Sequence, residues 1–364
     1  MIESIHQKFA RTLVQYSLDI KPGDVLLARS TTLAVPLLRE VYREAIAAGA
    51  HVIPKLAFDG QEETFLAGAT DEQMAWISPI DRTELETITA RLTISAPFNT
   101  RGGGAASRQS VFARAQSELT NRFRQRSAEG AIKWTGTLFP THALAQEADM
   151  SLSEYEDFVY RAMFLYEDDS IAAWRDFSVG QQKHVDRLDK VKTIRIVAQD
   201  TDLTLSVDGR KWMNSDGHRN FPSGEVFTGP VEDSANGTIR FTFPAVRGGN
   251  IVEDVRLRFV DGKVVEAVAA RGQDYLESVL NTDAGARYLG EVAIGNNYGI
   301  QRFTRNTLFD EKIGGTCHLA VGSSYLETGG KNESSVHWDM VCDLRQGGEI
   351  YADGDLIHKN GQWV

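Results

Sequence analysis

Residues 22–55 read PGDVLLARSTTLAVPLLREVYREAIAAGAHVIPK, and the punctuation in this stretch decides the architecture of the first half of the chain. Pro22-Gly23 is a turn signal, and the short apolar run within Asp24–Arg29 that follows it predicts a buried strand. Leu37–Ala48 repeats apolar residues at a helical period and stops at Gly49, a residue suited to ending a helix. His51–Lys55 then starts another strand. Leu92–Ala96 is a further strand candidate, followed by a loop and the helical stretch Arg108–Arg124. This βαβα order predicts a layered α/β domain with a mostly parallel sheet, ending near residue 186.

Within that half, Arg101-Gly102-Gly103-Gly104 has neither GxGxxG nor GxxxxGK[ST] spacing, so it reads as a flexible loop rather than a phosphate cradle. Ser151 and Ser153 open overlapping S-x-x-E capping boxes that predict a helix through about Phe164. His142, in FPTHAL, reads as a solvated loop histidine. From about residue 191 the texture changes to short β-rich runs: KTIRIVAQ, TDLTLSV, TIRFTF, VRLRFV and KVVEAVAA. Asp208-Gly209, Asp261-Gly262, Asp353-Gly354 and Asn360-Gly361 mark hairpin turns, and Asp274–Leu280 with Ala284–Leu289 form a helical interlude. The expected organisation is α/β plus α+β: an α/β domain over 1–186 and a mainly antiparallel β domain over 187–364.

The chain has 364 residues, more than one hydrophobic core usually supports, which agrees with two domains. A net charge of −11 without a Lys/Arg run argues against nucleic acid or an anionic lipid surface as partner. The N-terminal MIESIHQKFARTLVQYSLDI is amphipathic, with no basic and apolar leader pattern, and no apolar run approaches membrane-spanning length; a cytoplasmic protein is expected. The two cysteines, Cys317 and Cys342, make neither a disulfide framework nor a CxxC site.

Chemistry-bearing residues gather in the β-rich half. In NESSVHWDMV, residues 332–341, strand alternation puts His337 and Asp339 on one face and Val336, Trp338 and Met340 on the other. Imidazole plus carboxylate is a common ligand pair for Zn, Fe, Co or Mn, although a buried His–Asp hydrogen bond explains the pair equally well. His318 in CHLAVG, Glu291 in LGEVAIG and Glu225 in FPSGEVFT are likewise polar residues among apolar neighbours, where burial demands a partner or a metal. Two histidines and three carboxylates exceed the needs of one ion and point to a dinuclear hydrolytic centre.

FPSGEVFT, LGEVAIG, LFDEKIGGTCHLAVGSSY and NESSVHWDMV, in that order, resemble the aminopeptidase T/aminopeptidase S family of dinuclear metallo-aminopeptidases. The likeness covers the chain from about Lys192, and FPTHALAQEADMSLSEYEDFVYRA and the stretch from Pro22 to Val52 extend it through the first half. It implies Glu225, Glu291, His318, His337 and Asp339 as metal ligands and Glu291 and Tyr325 as catalytic residues. Glu291 would be a bridging ligand or the general base, and Tyr325 would stabilise the oxyanion. The family often reads DEN, with its glutamate five residues before the metal histidine. Here Asp310-Glu311-Lys312 puts Glu311 seven residues before His318, so its place as a further ligand is open. The resemblance further implies two divalent ions (Zn, Co, Mn or Mg), attack by a bridging hydroxide, small peptides with a free N-terminus as substrates, and a homodimer.

Two other readings compete. His318, His337 and Asp339 alone form the 2-His-1-carboxylate set of non-haem Fe(II) oxygenases, including ring-cleaving dioxygenases. Such a site gives Glu225 and Glu291 no role. A non-enzymatic peptide-binding protein with a structural metal would need only a closed four-coordinate site.

Overall fold

The computed structural model describes residues 3–101 and 106–364, so Gly102–Gly104 of the glycine-rich stretch lie outside the described residues. The chain forms two compact units, Met1–Ala173 with Gly217–Phe221 and Trp174–Asp216 with Pro222–Val364. The expected division at 186 falls in the last turn of the helix Ser170–Leu188, whereas the observed one falls near that helix's first turn.

The first unit carries a four-stranded sheet of β1 (Val25–Thr31), β2 (His51–Ala57), β3 (Ala90–Ser95) and β4 (Lys133–Leu138) in the order β2-β1-β3-β4. Every pairing is parallel. The helix Val35–Ala47 links β1 to β2 as expected, with proline in its first turn and Leu37, Leu38, Val41 and Ala45 as a buried stripe. The predicted helix over 108–124 is instead two, Ala106–Ala115 and Ser117–Ala128, parted at Gln116. Of the two overlapping boxes near 151, Ser151 with Glu154 caps the helix Leu152–Ala162.

The second unit is antiparallel. Its larger sheet has β5 (Thr193–Ala198), β6 (Thr201–Ser206), β9 (Asn236–Arg240), β12 (Arg256–Val260), β13 (Lys263–Val268), β17 (Glu349–Ala352), β18 (Asp355–Lys359) and β19 (Gln362–Trp363), ordered β13-β12-β9-β6-β5-β17-β18-β19. The smaller sheet has β7 (Met213–Ser215), β8 (Glu225–Thr228), β14 (Leu289–Gly295), β15 (Thr316–Gly322) and β16 (His337–Asp343), ordered β16-β15-β14-β8-β7. A short ribbon pairs β10 (Ala245–Arg247) with β11 (Asn250–Val252). One apolar core joins the two large sheets: Ile196, Leu203, Ile239, Leu257 and Ile350 from the larger meet Val226, Val292, Leu319, Trp338 and Met340 from the smaller. Burying each such side chain stabilises the fold by about 1.5–3 kcal/mol.

Three of the four expected hairpin turns join paired strands, at Asp261-Gly262, Asp353-Gly354 and Asn360-Gly361. Asp208-Gly209 does not: β6 pairs with β5 and β9 while β7 pairs with β8, so this turn carries the chain from one sheet to the other. The helical interlude is also shorter than expected. Gln273–Leu280 is a helix, but residues 284–287 form turns and Leu289 opens β14, whose side chain the core claims. Among the described residues no helix is long and apolar enough to cross a membrane.

Candidate metal centre

Strand alternation in the smaller sheet separates structure from chemistry. Val226 on β8, Val292 and Ile294 on β14, Cys317, Leu319 and Val321 on β15, and Trp338 and Met340 on β16 enter the core. Their sequence neighbours Glu225, Glu291, His318, His337 and Asp339 therefore share the opposite face. Register then brings them together. Ala320 pairs with both Glu291 and Asp339, and Ala293 pairs with both Phe227 and His318, so small side chains leave room for the polar groups around them. Two glycines fit the backbone to this task. A Cβ on Gly290, at the register shift before Glu291, would stand 2.2 Å from the Ser323 carbonyl oxygen. Gly224, before Glu225, has φ +127° and packs against Asn297.

The resulting cluster is compact. His318 Nε2 lies 3.4 Å from Glu225 Oε2 and 3.6 Å from Glu291 Oε1, and His337 Nε2 lies 3.3 Å from Glu291 Oε2 and 3.4 Å from Asp339 Oδ1. Glu291 thus stands between the two imidazoles. His337 Nδ1 is 2.8 Å from the Ser323 carbonyl, to which it can only donate, so the opposite nitrogen is aimed into the cluster. Tyr325 Oη is 3.4 Å from that same Nε2, and its ring meets His337 and Phe227 edge-on. Burial, then Glu291, Asp339 and Glu225, push the Tyr325 phenol well above its ordinary range, which keeps it a donor.

Glu311 reaches the site despite its unusual spacing. The single helical turn Thr307–Asp310, capped by Asn306, delivers it beside His318 and Asp339. Asp310 itself turns away to accept from the Thr304 N–H at 2.7 Å and hydroxyl at 2.9 Å, which fastens the loop, and burial pushes its carboxyl up to about 7. Lys312, absent from the sequence-predicted set, is completely buried, with Nζ 3.2 Å from Glu225 Oε1 and in contact with Glu311. The available signal was a lysine between a glutamate and an apolar Ile-Gly-Gly run. His142 lies exposed in the first unit, and Cys317 and Cys342 are free thiols paired across β15 and β16 on the core side.

The donors suit a divalent ion. Both ring nitrogens of His318, Glu225 Oε2 and Asp339 Oδ1 are buried without a hydrogen-bond partner, a state that costs about 1–3 kcal/mol per group unless something satisfies it. Three sets have ligand atoms within 4.8 Å of one another: Glu225, Glu291 and His318; Glu291, His337 and Asp339; Glu311, His318 and Asp339. Ion–ligand bonds of about 2.1 Å gather such sets with small side-chain movements. Mixed carboxylate and imidazole ligands suit Zn, Co or Mn.

Without an ion the same residues hold protons. Burial disfavours the His337 imidazolium, but Asp339 and Glu291 outweigh it and raise the group from 6.5 to about 11. His318 is raised too, against burial, chiefly by Glu291 and Glu225, while Asp339 is lowered to about 2, against burial, by His337 and His318. In the metal-free chain, protonated His337 therefore contributes stability that is complete below pH 6.5 and lost as pH rises through about 11. An ion requires the neutral ring, so binding at pH 7 expels that proton and affinity rises with pH. Calorimetric titration in buffers of different ionisation enthalpy should show at least about one proton released per ion bound at His337. Buffer-independent heats would contradict this.

Comparison with known proteins identifies the family and the fold. The profile of the thermophilic metalloprotease (M29) family matches residues 3–363. Aminopeptidase 2 of Geobacillus stearothermophilus is 30% identical, with 98% of this chain and 97% of the relative covered. Aminopeptidase AmpS of Bacillus subtilis (strain 168) is 28% identical over the full length of both chains, and aminopeptidase T of Thermus thermophilus is 27% identical over 98% of each. The solved structure of wild-type AmpT from Thermus thermophilus superimposes with a TM-score of 0.86 at 24% identity, covering 99% of both chains, which establishes the shared fold. With a family match over almost its whole length, the chain belongs to the thermophilic metalloprotease (M29) family.

Proposed function

We propose that this protein is a metal-dependent aminopeptidase that releases N-terminal residues from small peptides, with Glu225, Glu291, Glu311, His318, His337 and Asp339 as its ligand set. The observation that carries the reading is the position of Glu291, one oxygen turned to each of two imidazoles that end separate donor sets. That position suits a carboxylate shared between two divalent ions, Zn, Co, Mn or Mg. Such ions supply Lewis acidity toward a scissile carbonyl and make a bound water acidic enough to act near neutral pH.

The chain's own groups provide the rest. Tyr325, half-exposed and protonated, donates to the oxygen that gains charge as the carbonyl is attacked. The Ser323 carbonyl keeps His337 in the orientation that presents Nε2. Glu225, Glu291, Glu311 and Asp339 would offset the charge of the two ions, and the free α-amine of the substrate, in its neutral form, would be held at the centre they form. A homodimeric form belongs to the same proposal, carried by the family resemblance, as does the cytoplasmic location expected from the sequence.

The iron-oxygenase reading leaves Glu225 and Glu291 unexplained, and both stand in contact with His318. A closed structural site uses four ligands, whereas six donors meet here beside a tyrosine that faces solvent. The test of exopeptidase action is a tripeptide against its N-acetylated form. Acetylation removes the free amine and should lower kcat/KM by more than about a hundredfold, or ~2.7 kcal/mol. Equal rates on both would reject the reading.

A further inference from the structure

Lys312 is an ammonium in the deepest part of the centre. Its side chain is fully buried, and its cost of desolvation is offset by Glu225, 3.2 Å away, by Glu311 and, at longer range, by Asp339. Its backbone is pinned as well, the N–H donating to the Phe309 carbonyl at 3.0 Å and the carbonyl accepting from Asn297 N–H at 3.0 Å. Asn297 also donates through its side chain to the Ser223 carbonyl, two residues before Glu225. Lys312 and Glu225 are thus tied to one framework.

The three donor sets do not share this neighbour equally. Lys312 contacts Glu225, which belongs with Glu291 and His318, and Glu311, which belongs with His318 and Asp339. Toward the set formed by Glu291, His337 and Asp339 it acts only at longer range, through Asp339, and among the described residues it makes no ion-pair contact with that set. We propose that Lys312 makes the two ion positions unequal: the position at Glu291, His337 and Asp339 fills first and tightly, and the position at Glu225 and His318 fills last and weakly. The inference rests on the divalent centre proposed above. An ion entering beside Glu225 must share that carboxylate with a fixed positive charge a few ångströms away, and repulsion at that range in a poorly solvated site weakens binding by about a hundredfold or more. Lys312 is therefore a positioning residue that sets the occupancy of the centre, and the enzyme's working state depends on the free concentration of its second ion.

The experiment is a titration of the metal-free full-length chain with Co(II), followed by visible absorption and equilibrium dialysis, which read occupancy without reference to activity. Wild type should bind one ion tightly and a second about a hundredfold or more weaker, and should retain one ion per chain after desalting. Lys312→Met, of similar length without the charge, and Lys312→Gln, which keeps a donor for Glu225, should bring the two constants within about tenfold by strengthening the second alone. A wild-type titration that fills both positions in one unresolved step would overturn the proposal even if neither variant folds. A gap unchanged in both folded variants would overturn it equally. Absence of any Co(II) binding would instead bring down the metal reading itself, and this inference with it.

Discussion

Glu291→Gln is expected to lower kcat/KM on an amino-acid p-nitroanilide by about a thousandfold or more, or ~4 kcal/mol, and to reduce the ion content of the protein. The residue is 4% exposed, and its two side-chain oxygens face His318 at 3.6 Å and His337 at 3.3 Å. The amide keeps the shape but removes a charge that serves both donor sets, and it turns an NH₂ group toward one of the imidazoles. Glu225→Gln should act on one position only, costing an ion at the Glu225 and His318 side while leaving the set at His337 and Asp339 intact. If these glutamates were scaffold alone, amidation would shift Tm through lost buried interactions and leave metal content and turnover nearly unchanged. Metal analysis, thermal melting and assay on the two variants separate the cases.

The residues that were legible from sequence are those governed by a local period. Pro22–Lys55 yields its strand, helix and strand because turn, helical repeat and glycine stop agree with one another there. His337 and Asp339 yield their common face because strand alternation allows nothing else once Trp338 and Met340 are buried. β4 has no clear signature in the sequence because KWTGTL carries no sustained apolar run, and parallel pairing with β3 supplies what its own side chains do not. Asp208-Gly209 departs from its expected hairpin because a hairpin turn and a sheet-switching turn use the same residues, and only tertiary pairing distinguishes them.

The site divides in the same way. Its strand-borne donors were legible one by one, but their convergence depends on register: Ala320 opposite both Glu291 and Asp339 is a three-strand fact that no single segment contains. The loop-borne residues were harder still. Glu311 lies seven positions before His318, and its reach depends on the turn Thr307–Asp310 and on Asp310 fastening Thr304. Lys312 has no period at all to announce it. A charged side chain beside Glu311 would ordinarily point to solvent, and only the carboxylates of Glu225 and Glu311 make its burial tenable.

Removal of divalent metal should have the largest effect of all, because every donor set in the centre loses the group that satisfies it. The metal-free chain keeps its fold through the core between the two sheets of the second unit, while His337 and His318 take up protons in place of ions. Turnover should then fall to background, a loss of more than about four orders of magnitude. The most direct test of the central claim is to strip the protein with a chelator and return Co(II) or Zn(II) in measured increments. Bound metal per chain and hydrolysis of a p-nitroanilide bearing a free amine are followed on the same samples. The stripped protein should show no activity, and recovery should track the bound ion. Full activity in a preparation shown to hold no metal would contradict it.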